Sequence, residues 1–228
     1  MAADEPQTTP TRARVITQLA DLIEAVERPH PTRVAVDGPD AAGKTVLADE
    51  IADALADRGR CVIRASIDGF HRPQAERHGR GSLSPTGYFE DSFDYQQLRL
   101  LLLDPLGPGG DGHYQTRAFN YRLDRPELDD SRVAPADSVL VFDGVFLARP
   151  ELASAWDFRI FVSCDFDESL RRAKRRDAPL FGSAAEVEAR YSTRYIPAQQ
   201  LYNGLRPAET ADATLENTDP NNPVLHRQ

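Results

Sequence analysis

Four residues near the start of the chain have the types and spacing to do chemistry together. Gly38, Gly43, Lys44 and Thr45 satisfy G-x-x-x-x-G-K-T within "VAVDGPDAAGKTVLADEIADAL", residues 34–55. Glycines so placed let the backbone curl until its N–H groups point into a concavity, and a helix that follows adds the partial positive charge of its N-terminus. Lys44 contributes an ammonium that can reach phosphate oxygens, and Thr45 a hydroxyl that can join a magnesium ion. The stretch therefore reads as a phosphate cradle lined by Gly38, Asp40, Ala41, Ala42, Gly43, Lys44, Thr45 and Val46. That reading needs a strand before the loop and a helix after it. "RVAVD" (33–37) is short, β-branched and bounded by turn residues, and Leu47, Ile51 and Leu55 stripe a helix that stops at Gly59.

The elements that must position this loop follow from periodicity. Val15, Ile16, Leu19, Leu22, Ile23 and Val26 predict a helix ahead of it, after a polar tail at 1–10 expected to be disordered. "CVIRASI" (61–67), "SVLVFD" (138–143) and "FRIFVS" (158–163) read as strands, the last two so continuously apolar that both faces must be buried, and "ATLEN" (213–217) as a weaker one. Residues 68–92 read as a long loop, "FDYQQLRLLLLDPL" as a helix, and Asp165 with Glu168 and Ser183 with Glu186 as capping boxes. Strands alternating with helices predict an α/β fold of the P-loop NTPase type, with a mostly parallel five-stranded sheet. One domain over 11–228 is expected, with 68–135 as an insertion over the substrate.

Composition bounds the partners. The chain of 228 residues carries a formal net charge of −9, which argues against nucleic acid as the main partner. It has no apolar run of membrane-spanning length and no basic-then-hydrophobic start, so a cytoplasmic location is expected. Cys61 and Cys164, in or beside apolar runs, are expected to be buried free thiols. Lysine occurs only at Lys44 and Lys174, neither followed by x-Asp, so the guanine-reading motif of GTPases is missing. Oligomeric state is not readable.

Further motifs fall in an order that resembles the uridine kinase-like branch of the P-loop kinases, which also includes pantothenate kinase and phosphoribulokinase. These are "SIDGFHRP" (66–73), "DSFDYQQL" (91–98), "VLVFDGVFL" (139–147), "ESLRRAKRRD" (168–177) and "RYSTRYIPAQQLYNGLRPAETADATLEN" (190–217). The resemblance implies transfer of the γ-phosphoryl group of ATP, with Mg²⁺, to a hydroxyl of a small metabolite. A nucleoside of the uridine or cytidine type is the first expectation, with an acid or sugar phosphate as the alternative. It also implies roles. Asp68 would deprotonate the acceptor and, with Thr45 and Asp143, attend the metal. Arg172 and Arg176, in a lid over 169–183, would contact phosphate beside Lys44. His71, Arg72, Phe89, Arg117 and Phe119 would meet the acceptor, and "LENTDPNNP" (215–223) the adenine. On residue chemistry alone, other readings stay open: a turn cap for Asp68 and Asp143, a solvated face for the lid arginines, local ion pairs for Arg72 and Arg117, and core packing for Phe89. Arg117 stands where uridine kinases carry a tyrosine, and His71 where they carry another. A nucleotide-dependent switch without an acceptor is the reading outside enzymology, and it would need no base at Asp68.

Overall fold

The computed structural model describes residues 9–227; of the expected tail, residues 1–8 lie outside them. Thr9 and Pro10, expected to belong to that tail, instead open helix α1 (Pro10–Glu24): the Thr9 hydroxyl accepts from the Arg12 N–H, and proline occupies the first turn, where its missing N–H costs nothing. After α1 come β1 (Thr32–Asp37), α2 (Lys44–Asp57), β2 (Val62–Ser66), α3 (Pro85–Asp91), β3 (Val139–Asp143), β4 (Phe158–Ser163), α4 (Phe166–Phe181), α5 (Ala184–Arg190), α6 (Ile196–Asn203), β5 (Ala213–Glu216) and β6 (Val224–Arg227).

These six strands form one sheet in the order β6-β5-β4-β1-β3-β2. Five are parallel, as the βαβ pattern demands; β6, absent from the sequence reading, is added antiparallel on β5. Its residues Val224–Arg227 are exposed or half-buried, so no apolar alternation betrays it. In the central strands, alternation decides the faces. Val34, Val36, Val139 and Val141 meet α1 and α2 on one side through Leu19, Leu47 and Ile51. Ala35, Leu140 and Phe142 face Phe70, Phe146, Trp156 and Tyr202 on the other. Both layers being covered explains why β1 and β3 are buried throughout.

Four expectations are corrected. The segment 68–92 is not a plain loop: it holds a 3-10 turn at Ile67–Phe70, a helical turn at Gln74–Arg77 and α3, whose Ser84-Pro85 start is a cap followed by an N1 proline. Asp165 makes no side-chain cap for α4, and Glu168 turns to the guanidiniums of Arg171 and Arg172 rather than back to the cap; Ser183 does cap α5, accepting from the Glu186 N–H at 3.1 Å. Cys61 is exposed and Cys164 half-buried, since each lies just outside a strand end rather than within it. The expected helix from Tyr95 is α-helical only to Leu98 and widens into a π-turn over Arg99–Leu103.

Candidate active site

The parallel sheet brings the carboxyl ends of β1, β3 and β2 side by side, with Val36 and Ser66 in register with Asp143 between them. That is where an open α/β sheet offers its crevice. The loop leaving β1 turns sharply at Gly38 (φ 149°), where a Cβ would stand 2.3 Å from the Val162 carbonyl oxygen. It passes through left-handed conformations at Ala41 (φ 58°) and Gly43 (φ 97°) before α2 begins at Lys44. The cradle is thus formed by backbone shape.

Within it, Lys44 is buried, its Nζ donating to the Pro39 carbonyl at 2.7 Å, and burial lowers its pKa against the opposing pull of Asp40, Asp143 and Asp37. Thr45 donates its hydroxyl to Asp143 at 2.7 Å, and Asp143 also pairs with Arg64 at 3.0 Å. Val46 points away from this cluster and is exposed. Asp68 follows β2 at the crevice mouth. Its side chain keeps 59% of its exposure, yet the surrounding protein and the charges of Asp143 and Asp40 raise its pKa to about 6. Among the described residues no cluster of three or more metal-binding side chains exists. Thr45 and Asp143 suit a magnesium ion, a hard cation usually held by one or two protein oxygens with the rest of its shell from phosphates and water; Asp68 is hydrogen-bonded to neither.

The other flank of the loop is fastened by residues from both chain ends. Arg172 donates to the carbonyls of Ala42 (3.3 Å), Asn217 (2.7 Å) and Thr218 (2.9 Å), while the Asn217 amide donates to Ala42 at 2.7 Å. Arg12, from the first turn of α1, grips the same loop through Asn217 and Pro220, its charge balanced by Glu50 at 2.6 Å. Arg176 lies further along α4, 61% exposed and paired with Asp177, although its charge is felt by Lys44 and Asp68. Arg171 is directed outward.

The opposite wall is built on Asp40. Its carboxylate accepts from the Tyr88 hydroxyl (3.0 and 3.1 Å) and from Gln199 (3.0 Å), and Ser169 donates to its backbone carbonyl. Tyr88 packs edge-on against Tyr195, and the guanidinium of Arg194 lies 5.1 Å from the Tyr88 ring. His71 donates Nδ1–H to the Asp68 carbonyl at 3.1 Å and stacks on Tyr121 at 4.7 Å; burial lowers its pKa to about 4, leaving the ring neutral.

The expected acceptor residues divide. His71 stands beside Asp68, and Arg72 is near it, tied to the Phe93 carbonyl and Glu76. Phe119 is buried beneath, in a two-residue ladder with Arg125–Pro126. Two are corrected. Arg117 is half-exposed and neutralised by Glu127, so its charge is already matched. Phe89 packs into the core against Phe146 and Tyr202 under Arg149, where its large apolar surface is better satisfied than at an open cleft.

The sequence reading missed three groups. Tyr202 donates to Asp37 and itself accepts from the Ala148 N–H, while Asp37 holds the Gly38 N–H at 2.7 Å. Burial raises the Asp37 pKa to about 6. Arg12 and Arg194 are the others. Only the placing of charged or hydroxyl groups at apolar positions of a helix face could have signalled them.

No family model matches the chain. Over 158 residues it is 28% identical to uridine-cytidine kinase B of Dictyostelium discoideum, an alignment that covers 69% of this chain and 63% of that one. It is 26% identical over 151 residues to the uridine kinase of Geobacillus kaustophilus, covering 64% of this chain and 67% of the relative. The chain thus spans about two thirds of these relatives or slightly less. A solved structure described as a possible uridine kinase from Bacillus stearothermophilus superposes with a TM-score of 0.70 at 20% identity, covering 88% of this chain and 97% of that one. With the phosphate cradle, Asp143 beside Thr45 and Asp68 at the crevice mouth, the chain is similar to uridine kinases in sequence and shares the fold of P-loop kinases.

Proposed function

We propose that the protein is a kinase that transfers the γ-phosphoryl group of ATP to a hydroxyl of a small metabolite. The observation that carries this reading is the convergence at one sheet edge of a preformed phosphate loop, a Thr45–Asp143 pair and a carboxylate of raised pKa, Asp68. The acceptor oxygen would form its bond to the γ-phosphorus as the bond to the bridging oxygen breaks, its proton passing to Asp68 and ADP leaving. Phosphoryl transfer is mostly positioning and charge stabilisation, which Lys44, the loop N–H groups and the lid arginines supply. A magnesium ion, held through Thr45 and Asp143, would neutralise charge on the β- and γ-oxygens. Closure of α4 and α5 over the triphosphate would exclude water and bring in Arg176.

The relatives' names favour a nucleoside acceptor. An acid or sugar phosphate is the second reading, favoured by Arg194, whose guanidinium lies over Tyr88 with no ion-pair partner among the described residues. Purified protein with Mg²⁺ and ATP should consume ATP when given one acceptor from a panel of nucleosides, pantothenate, glycerate and pentose phosphates. Lys44→Ala should abolish turnover. Asp68→Asn should lower kcat by ~10²–10⁴-fold while sparing ATP binding. Unchanged turnover in Asp68→Asn would remove Asp68 from the chemistry and move weight to the switch reading.

A further inference from the structure

Arg190 and Arg194 sit four residues apart where α5 runs into a π-helical turn (Tyr191–Tyr195), a widening that often marks functional positions. Arg194 is 7% exposed. It donates to the Ser82 carbonyl at 2.7 Å and lies over the rings of Tyr88 (5.1 Å) and Tyr195 (5.5 Å). Arg190 lies 4.7 Å from the Phe181 ring. In both side chains Nε is buried without an acceptor. Among the described residues neither guanidinium has a carboxylate partner.

This contrasts with the arginines around them. Arg72 pairs with Glu76, Arg77 with Asp124, Arg80 with Glu90 and Asp91, and Arg117 with Glu127. On a chain with net charge −9, carboxylates are not scarce. Two like charges one helical turn apart repel, and a buried charge without a counterion is costly. A fold retains that arrangement when something outside it brings the anion.

The location says which substrate that is. Tyr88, the ring beneath Arg194, is bonded to Asp40 of the phosphate loop, and the field of Arg194 reaches His71, whose ring holds the Asp68 carbonyl. Arg194 therefore lies on the Asp68 side of the loop, with Arg190 one turn before it and both charges acting on His78. The nucleotide side is occupied by Arg172, Asn217 and Arg12. We infer that Arg190 and Arg194 form the anion-binding end of the acceptor site, so that the acceptor is a hydroxyl compound bearing a carboxylate or phosphate group. This rests on the kinase reading for the word acceptor, though not for the anion site itself.

Two measurements test it, using Arg194→Met and Arg194→Lys in the full chain. First, thermal unfolding of protein loaded with MgADP is followed while inorganic phosphate is added. Phosphate should raise Tm in the wild type and Arg194→Lys more than in Arg194→Met, and without phosphate Arg194→Met should be at least as stable as the wild type. A strut would behave oppositely: loss of stability in Arg194→Met, with an unchanged phosphate response, overturns the inference. Second, turnover is compared within matched pairs, glycerate against glycerol and ribose 5-phosphate against ribose, with uridine alongside. The charged member should be preferred, and Arg194→Met should raise its KM by ~30-fold or more, with kcat changed far less. Equal use of a neutral member, or best use of uridine with no KM change in Arg194→Met, overturns it too. If nothing is phosphorylated while the phosphate response depends on Arg194, the kinase reading fails and the anion site stands.

Discussion

The buried pair of Asp37 and Tyr202 gives a stability test that needs no substrate. Asp37 lies at the end of β1 with one oxygen holding the Gly38 N–H and the other receiving the Tyr202 hydroxyl. Burial nonetheless wins over these hydrogen bonds and raises its pKa from 3.8 to about 6, the equivalent of about 3 kcal/mol. The folded state thus binds the proton more tightly than the unfolded chain does. The stabilisation from protonated Asp37 is fully present below about pH 4 and is lost as the pH rises through about 6. Above that, ionised Asp37 costs the fold about 3 kcal/mol relative to a neutral group in the same contacts.

Urea unfolding of wild type and Asp37→Asn from pH 4 to 8 isolates this contribution, because other carboxylates titrate alike in both proteins. The wild type should lose about 2 kcal/mol relative to the variant between pH 4 and 6, level off by about pH 7 and then run parallel to it. Tyr202→Phe sharpens the test. It strips Asp37 of a hydrogen bond and leaves the Ala148 N–H without its partner, at a cost of about 2–5 kcal/mol at neutral pH. It should also extend the pH-dependent loss above pH 6, since ionised Asp37 is then held by fewer donors. A wild-type-minus-Asp37→Asn difference that is flat across pH 4–6 would refute the argument that desolvation outweighs the hydrogen bonds.

Two further substitutions probe the cradle. Gly43→Ala forces a Cβ at φ 97° to within 2.7 Å of the Asn217 amide nitrogen; it should cost about 2–4 kcal/mol and weaken ATP binding. Adding Asn217→Ala should recover the steric part in urea melts. Arg172→Gln removes donors to Ala42, Asn217 and Thr218 and should weaken ATP binding by ~10-fold or more in calorimetric titration. Arg171→Gln, whose partner Glu168 is shared with Arg172, should leave the urea midpoint unchanged.

The legibility of this molecule in its sequence follows from whether a signal is local. The loop from Gly38 to Thr45 was readable because its chemistry is written in consecutive residues, and β3 and β4 because burial on both faces leaves an unbroken apolar run. Asp143 was readable as a strand-end acid. Its bond to Thr45 depends on β1 and β3 being neighbours, a long-range consequence of strand order. Arg172 was expected to meet phosphate; its bonds to Asn217 and Thr218 come from the far end of the chain and could not be anticipated from helix spacing. β6 was missed because an edge strand exposed to water needs no apolar alternation. Arg117 and Phe89 show the same limit: residue type suggested substrate, while the partners they have in the fold, Glu127 and Phe146, are set by long-range packing that type does not reveal.

The distribution of unmatched charge carries the argument one step further. Asp40, inside the phosphate loop, accepts hydrogen bonds from α3 through Tyr88 and from α6 through Gln199, and α4 binds its backbone through Ser169. The loop that would take nucleotide is therefore in direct contact with Tyr88, the ring beneath Arg194, and with α6, which continues the π-turn that carries Arg194. An anion arriving at Arg194 would relieve a repulsion at the α5–α6 junction, next to the Tyr88 and Gln199 side chains that hold Asp40. The coupling can only be as large as the difference in affinity between the two loop arrangements, and it must be reciprocal. Tyr88→Phe removes one link without touching either ligand's charge. It should reduce the dependence of ATP affinity on the acceptor anion while leaving ATP affinity alone nearly unchanged. Equal dependence in both proteins would mean that the two sites share a wall and nothing more.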